Sequence, residues 1–145
     1  ANVPYNTDAW DGYPKERERL FKELKKANSV LVLTGDTHNS WVNNLYDKNN
    51  NFIGVEIGAP AISSPNTIDT FGELTDLIEE GFIKENKNVK WTEGKHKGYV
   101  LLKLTNQNAQ VSFIYVNTVK TNNYKVTNSN KFYIKSNEPI ANDKI

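Results

Sequence analysis

The chain has 145 residues, enough for one domain or part of one, and its 18 basic and 17 acidic residues leave a formal net charge of +1. This balance, without a long basic run, excludes a strong general attraction to nucleic acid, so no specific nucleic-acid partner is predicted. The longest apolar run, residues 30–33, is too short to span a membrane, and the lack of cysteine excludes disulfides and thiolate chemistry.

The first predicted elements are a helix and the strand that follows it. Residues 1–13 are polar and rich in turn-forming types, so an ordered loop is expected there. Pro14 suits the first position of a helix, and apolar side chains then recur at the helical period as far as Ala27. Residues 29–34 form a short apolar, β-branched run, which predicts a strand buried on both faces. A helix followed directly by such a strand indicates an α/β unit.

The middle of the chain is predicted to contain a strand between two helices. A short helix is expected over residues 39–45 and a strand over residues 52–57. Small residues and two prolines over residues 58–68 predict a loop without regular structure. Apolar side chains at helical spacing then predict a second helix over residues 69–84.

The last part of the chain has β character. A short strand is predicted over residues 89–91, and residues 98–105 and 110–117 have the pattern of a hairpin. Residues 131–135 are a further strand candidate. The asparagine-rich residues 120–130 predict a mobile loop, and a mobile tail is expected after the last strand. The resulting sheet is predicted to be mixed.

The strongest local signal for chemistry is the segment Gly35-Asp36-Thr37-His38, which follows the predicted strand 29–34. Polar side chains at the carboxyl end of such a strand commonly line a functional site. A carboxylate and an imidazole together suit iron, manganese or zinc, so Asp36 and His38 are candidate metal ligands. The alternative reading is that Asp36 caps a following helix and His38 lies on the first turn of that helix.

Two further features have weaker signals. His96, between Lys95 and Lys97, either orients a phosphate or is a solvated loop residue, and its charged neighbours favour the second interpretation. The pair Ser63-Ser64 lacks the glycine pattern of a nucleophile elbow, which argues against serine-hydrolase chemistry.

Several segments in the same order resemble one known family. They read Asp-Ala-Trp-Asp-Gly-Tyr-Pro at 8–14, Val-Leu-Thr-Gly-Asp-Thr-His-Asn-Ser-Trp at 32–41, Gly-Val-Glu-Ile at 54–57, Ile-Ser-Ser at 62–64 and Lys-Gly-Tyr-Val at 97–100. Together they resemble the C-terminal part of the PhoD-like alkaline phosphatase and phosphodiesterase family, within the calcineurin-like metallophosphoesterase superfamily. The resemblance covers roughly residues 5–117 and divides the chain into a domain portion, 1–119, and an asparagine-rich loop, possible last strand and tail, 120–145.

The resemblance implies a fold, a site and a reaction. The fold would be α/β, the C-terminal half of a calcineurin-like metallophosphoesterase sandwich, with a mixed sheet and flanking helices. Asp36 and His38 would be metal ligands, with His38 also catalytic, in a centre that holds iron and calcium. The reaction would be hydrolysis of phosphate mono- or diesters, and relatives of this kind are commonly exported, which implies an extracytoplasmic location.

The chain is expected to be a piece of a longer protein. It has no methionine, and therefore no initiator, and it lacks the Asp-x-His, Gly-Asp-x-x-Asp and Gly-Asn-His segments that supply the other metal ligands in the superfamily. The N-terminal part of the same domain is therefore a predicted partner, and the chain alone is predicted to be nearly inactive. The alternative is a non-catalytic binding or interaction domain that retains the family scaffold.

Overall fold

A computed structural model of the chain describes residues 7–65 and 68–140. Within those ranges it contains two α-helices, seven β-strands and two 3₁₀ segments. The helices are α1 (Pro14–Leu24) and α2 (Thr75–Glu85), and the 3₁₀ segments are Trp10–Gly12 and Ile68–Leu74. The strands are β1 (Leu31–Thr34), β2 (Ser40–Tyr46), β3 (Phe52–Gly58), β4 (Val89–Glu93), β5 (Lys97–Leu104), β6 (Asn108–Val116) and β7 (Val126–Lys135).

The first sheet is mixed and has the strand order β1-β3-β2-β4. β1 runs parallel to β3, whereas β2 pairs antiparallel with both β3 and β4. The carboxyl ends of β1 and β3 meet at the same edge of the sheet, where Thr34 lies opposite Gly58. The predicted mixed sheet is confirmed, and the segment that follows Thr34 begins at this edge.

The second sheet is antiparallel, in the order β5-β6-β7. β5 and β6 form the predicted hairpin, in register from Lys97 opposite Val116 to Leu104 opposite Ala109. β7 pairs along β6 and begins at Val126, so the final strand starts earlier than the predicted residues 131–135. Part of the segment predicted as a loop, 120–130, is therefore strand.

The hydrophobic core lies between the two sheets. Its buried members are Val42, Val55, Ile57 and Trp91 from the first sheet, and Ala109, Val111, Phe113, Tyr115, Phe132 and Ile134 from the second. The Trp91 ring lies 4.6 Å from the Phe113 ring and 5.4 Å from the Phe132 ring, measured between centroids. Burying each large apolar side chain contributes about 1.5–3 kcal/mol. This apolar layer holds the two sheets together.

Helix α2 packs against the first sheet. In α2, Phe82 makes an edge-on ring contact with Trp41 of β2 at 5.4 Å. Trp41 alternates with core residue Val42, so this contact lies on the face of the sheet that points away from the core. In α1 the buried residue is Phe21, at 7% exposure. No helix among the described residues has the length and apolar character needed to cross a membrane.

The helix predicted over residues 39–45 is wrong, because this segment is strand β2. Its residues alternate between buried and partly buried positions, but two of the buried positions are the polar residues Ser40 and Asn44. The Asn44 amide donates to the carbonyl of Ile140 and accepts from the Ile140 N–H, at 2.9 and 3.0 Å. Because these two buried positions hold polar residues, the apolar residues of the segment do not show the two-residue period of a strand.

Two other predictions are partly wrong. The strand predicted over residues 29–34 exists as β1, but it is an edge strand that pairs with β3 alone, and Leu33 is 61% exposed. Burial of β1 on both faces is therefore not observed among the described residues. The second helix was predicted over residues 69–84, whereas the chain forms a 3₁₀ segment first and α2 begins at Thr75. Gly72, with φ of 55°, separates the two.

The close approach of β5 and β6 at Gly98 predicts a large effect of substitution. A Cβ atom at residue 98 would lie 1.9 Å from the Ile114 carbonyl oxygen, whereas one at Gly81 of α2 would meet nothing within 4 Å. We expect Gly98→Ala to lower the free energy of unfolding by about 2 kcal/mol. The matched control Gly81→Ala is expected to raise it by about 0.5–1 kcal/mol, because alanine stabilises a helix interior. Urea unfolding of the two variants tests this, and equal stabilities would contradict it.

The turn between β2 and β3 is organised by the buried carboxylate of Asp47. It accepts hydrogen bonds from the Asn49 and Asn51 N–H groups at 2.9 and 2.8 Å, and from the Asn51 side-chain amide. It also forms an ion pair with Lys25, just after α1. The Asn51 side-chain hydrogen bond, followed by that of Lys25, holds the pKa of Asp47 well below its usual range.

This lowered pKa predicts a specific loss of stability in acid. The stabilising contribution of Asp47 is fully present above its unfolded pKa of about 4 and disappears as the pH falls towards the lower folded value. We expect the free energy of unfolding to fall as the pH is lowered from about 5 to 2, and to fall less steeply in Asp47→Asn. Chemical denaturation at several pH values measures both slopes, and parallel curves for the two proteins would contradict the assignment.

Candidate metal centre

The two candidate ligands lie on the loop that joins β1 to β2. Asp36 has φ of 66° and His38 has φ of 64°, so both adopt the left-handed conformation. Asp36 is exposed and His38 is partly buried. Aspartate and histidine tolerate this region better than most residues, although it remains less favourable than the right-handed one. Residues in such uncommon backbone conformations cluster at functional sites, and here two of them lie within one short loop.

The His38 ring is held by a backbone carbonyl. Its Nδ1 atom lies 2.7 Å from the carbonyl oxygen of Pro65, which can only accept, so Nδ1 carries the proton and donates. In the neutral imidazole, Nε2 then keeps its lone pair. Metal-bound histidines almost always donate their other ring N–H in this way, which fixes both the tautomer and the ring orientation. The Nε2 atom of His38 is therefore the ring nitrogen that a metal ion could use.

The helix-capping interpretation of Asp36 is wrong. The segment after the loop is strand β2, beginning at Ser40, so there is no following helix for Asp36 to cap and no first turn for His38 to occupy. Within residues 7–65 and 68–140, no donor forms a hydrogen bond with the Asp36 carboxylate. A carboxylate that has no partner among the described residues, two positions from an oriented imidazole, suits an oxygen ligand of a metal ion.

The loop is attached to the rest of the fold on both sides. The Trp41 Nε1–H donates to the Thr37 hydroxyl at 2.9 Å, and Trp41 is itself fixed by Phe82 and by close packing over Gly58. On the other side, the Ala61 N–H donates to the His38 carbonyl at 3.3 Å. The loop is therefore held at Thr37, between the two candidate ligands, and at the backbone of His38.

A layer of buried polar residues lies beneath the loop. Ser40 is fully buried, and its hydroxyl lies 2.7 Å from the hydroxyl of Tyr115. Burial raises the pKa of Tyr115 well above its usual value. Asn39 is only 5% exposed, and none of the described residues donates to its side-chain oxygen. A buried polar atom without a partner is uncommon, and its position next to His38 fits a site that binds a further group.

The described residues supply two donors but not a whole metal centre. Within the described ranges, no group of three or more histidine, cysteine or carboxylate side chains is arranged to hold a metal ion. Asp36 and His38 together offer one oxygen and one nitrogen ligand, whereas a protein site normally uses at least three. The geometry fits one wall of a metal site.

Sequence reasoning missed the contacts that shape this site. Neither the Pro65 carbonyl nor the Tyr115 hydroxyl is marked by any pattern in the sequence, because each reaches the loop from a distant part of the chain. Ser63, singled out in the sequence, is exposed and has no acid or base partner among the described residues. His96 is an exposed loop residue, as predicted, but its contact with Glu93 was not predicted.

Comparison with known proteins shows the family of the chain. The family model described as PhoD-like phosphatase matches residues 1–113. The chain belongs to the PhoD-like phosphatase family. Alkaline phosphatase D from Bacillus subtilis (strain 168) is 39% identical to this PhoD-like chain over 112 residues, which are 72% of the chain and 18% of that protein. The chain therefore spans less than a fifth of the length of this relative.

A solved structure supports the same family. The structure of PhoD superposes on 90% of this PhoD-like chain, with a TM-score of 0.69 and 25% sequence identity, and the matched part is 25% of that chain. The fold is accordingly a mixed α/β fold of the calcineurin-like class, with two sheets and few helices, and the predicted fold class is confirmed. The division into 1–119 and 120–145 stays a prediction.

Proposed function

We propose that this chain contributes Asp36 and His38 as ligands to the metal centre of a phosphoesterase that hydrolyses phosphate mono- or diesters. The observation that carries the proposal is the hydrogen bond from His38 Nδ1 to the Pro65 carbonyl, because it prepares Nε2 for a metal ion. Membership of the PhoD-like phosphatase family supports a phosphoesterase reaction.

Each residue has a defined part in this proposal. Asp36 would supply a hard carboxylate oxygen, and His38 would supply Nε2 and act as the catalytic residue of this chain. When bound, the metal would polarise the phosphoryl group and lower the pKa of a coordinated water. Thr37 and Trp41 hold the loop in position, so that the two ligands do not have to be ordered at the moment of binding.

Iron together with calcium is the proposed metal content. The oxygen of Asp36 suits calcium, and a nitrogen and oxygen pair suits iron, so the donor set is compatible with both. The support for these two metals is family resemblance. Metal analysis of the full-length protein by mass spectrometry identifies the ions present, and a protein that is active without any bound metal would contradict the proposal.

The remaining ligands are proposed to lie in the part of the full-length protein that this chain does not include. We expect the 145-residue chain alone to show at most about one thousandth of the turnover of the full-length protein on a chromogenic phosphate ester, since two ligands do not complete a centre. Both proteins are assayed with and without a chelator. Appreciable metal-dependent hydrolysis by the chain alone would contradict this prediction, and a metal-independent full-length protein would favour the non-catalytic binding domain.

A further inference from the structure

A cleft of about 490 Å³ lies beside the candidate metal loop. Its wall includes the loop after β3 and the start of β5. Its basic lining residues are Lys95, His96, Lys97 and Lys120, and Ser63 and Pro65 also line it. None of the described residues that line this cleft carries a carboxylate. Its wall is therefore basic on a chain whose overall charge is close to zero.

The His96 ring is held by two neighbouring side chains. Its Nδ1 atom lies 2.8 Å from the Glu93 carboxylate, and its ring stacks on the Tyr115 ring, with a centroid distance of 5.2 Å and an interplanar angle of 16°. The same carboxylate accepts the backbone N–H groups of Lys95 and His96, at 2.9 and 3.2 Å. The ring is thus fixed on one edge and one face.

The free edge of the His96 ring is the part that the fold leaves available. Nδ1 is occupied by Glu93, and within the described ranges Nε2 has no hydrogen-bond partner. The side chain is 51% exposed and lines the cleft. When the ring is protonated, Nε2–H is a donor for an anion, and Glu93 balances the charge on the far side.

The cleft and the candidate metal loop share one segment. Pro65 lines the cleft, and its carbonyl oxygen is the acceptor for His38 Nδ1. The same loop is joined to β5, because the Gly98 N–H donates to the Ala61 carbonyl at 3.0 Å. A ligand seated in the cleft therefore lies next to the segment that orients His38.

We propose that this cleft binds a phosphate group, with His96 Nε2–H as a direct donor and Lys120 as a nearby positive charge. Lys95 contributes less, because its ammonium group forms an ion pair with Asp76. The assignment of the phosphate to an ester substrate rests on the proposed function, whereas binding of the anion itself needs no metal. His96 would in that case position the substrate beside the metal loop.

The test uses the 145-residue chain in the presence of a chelator, so that metal plays no part. Inorganic phosphate and phenyl phosphate are titrated at constant ionic strength, and the backbone amides of Ser63 and Lys97 are followed by NMR. We expect saturable shifts at these amides and none at Lys103, which lies on β5 outside the cleft. Tighter binding of phenyl phosphate would indicate an ester site, and tighter binding of inorganic phosphate would indicate a site for the free anion.

Two substitutions of His96 separate a ligand-binding role from a structural one. Asparagine places its amide near the position of Nδ1 and can still donate to Glu93, whereas glutamine places its amide near Nε2 and can still donate into the cleft. We expect His96→Asn to weaken phosphate binding about tenfold, which corresponds to about 1.4 kcal/mol, and His96→Gln to weaken it less. If only the contact with Glu93 mattered, the order of the two variants would be reversed, which would overturn the proposal.

A pair of lysine variants tests the contribution of charge. Lys120→Gln and Lys103→Gln each remove one positive charge, but only Lys120 lines the cleft. We expect the first to weaken phosphate binding about threefold and the second to leave it unchanged. Absence of saturable binding, or equal effects of the two lysine variants, would overturn the proposal. Because these measurements contain no metal, loss of turnover in Asp36 or His38 variants would not affect their outcome.

Discussion

His38→Ala in the full-length protein is expected to lower bound metal and kcat/KM together, the latter by at least about 100-fold, because it removes a ligand rather than a supporting contact. The reason is geometric. His38 donates from Nδ1 to the Pro65 carbonyl at 2.7 Å, and this leaves Nε2 as the atom proposed to bind the metal. Metal content by mass spectrometry and turnover of a chromogenic phosphate ester are measured on the same samples.

A matched control separates loss of the ligand from disturbance of the loop. Trp41→Phe removes the hydrogen bond to the Thr37 hydroxyl but keeps an aromatic ring for the contact with Phe82. We expect this variant to reduce kcat/KM by about tenfold, which is the usual size of an indirect effect on a metal site. Full metal content and activity in His38→Ala would show that His38 is not a ligand.

Replacing Asp36 in two ways is expected to separate function from stability. Asp36→Ala and Asp36→Gly both remove the carboxylate, and each is expected to reduce kcat/KM by at least about 100-fold in the full-length protein. Their stabilities should differ, because residue 36 has φ of 66°. Alanine in this left-handed conformation is disfavoured by about 1 kcal/mol relative to glycine, so Asp36→Gly is expected to be the more stable of the two.

The stability difference is measured by urea unfolding of the 145-residue chain in the presence of a chelator. Glu85→Gln, at the exposed end of α2, removes a carboxylate away from the loop and serves as the control for charge. Unchanged metal content in both Asp36 variants would remove this residue from the ligand set. Equal stabilities would show that residue 36 is not held in the left-handed conformation.

Local patterns predicted the elements whose partners are also local. The helix that begins at Pro14 and the hairpin of β5 and β6 were predicted because their side-chain periods are visible within a few residues. β2 was mistaken for a helix because its buried Ser40 and Asn44 are polar. Their burial depends on Tyr115 and Ile140, which lie 75 and 96 residues away. A sequence window does not contain that information.

The sequence predicts where the candidate site lies but only part of its geometry. Asp36 and His38 stood out because they follow a strand, and β1 does end at Thr34. Their left-handed conformation was not predicted, since aspartate and histidine also occur commonly in other conformations. For His96, the sequence predicted exposure but not the contact with Glu93, because a carboxylate three residues away does not by itself fix the direction of either side chain.

The hydrogen bonds around the β1–β2 loop also bear on the order of folding. His38 contacts Pro65, 27 residues further along the chain, and Ser40 contacts Tyr115, 75 residues further along. Contacts that close long loops carry a large entropic penalty and tend to form late. During synthesis, the segment with Asp36 and His38 emerges well before β6. The arrangement that would select a metal ion is therefore acquired together with the packed sandwich, and a short peptide with the same motif would lack it.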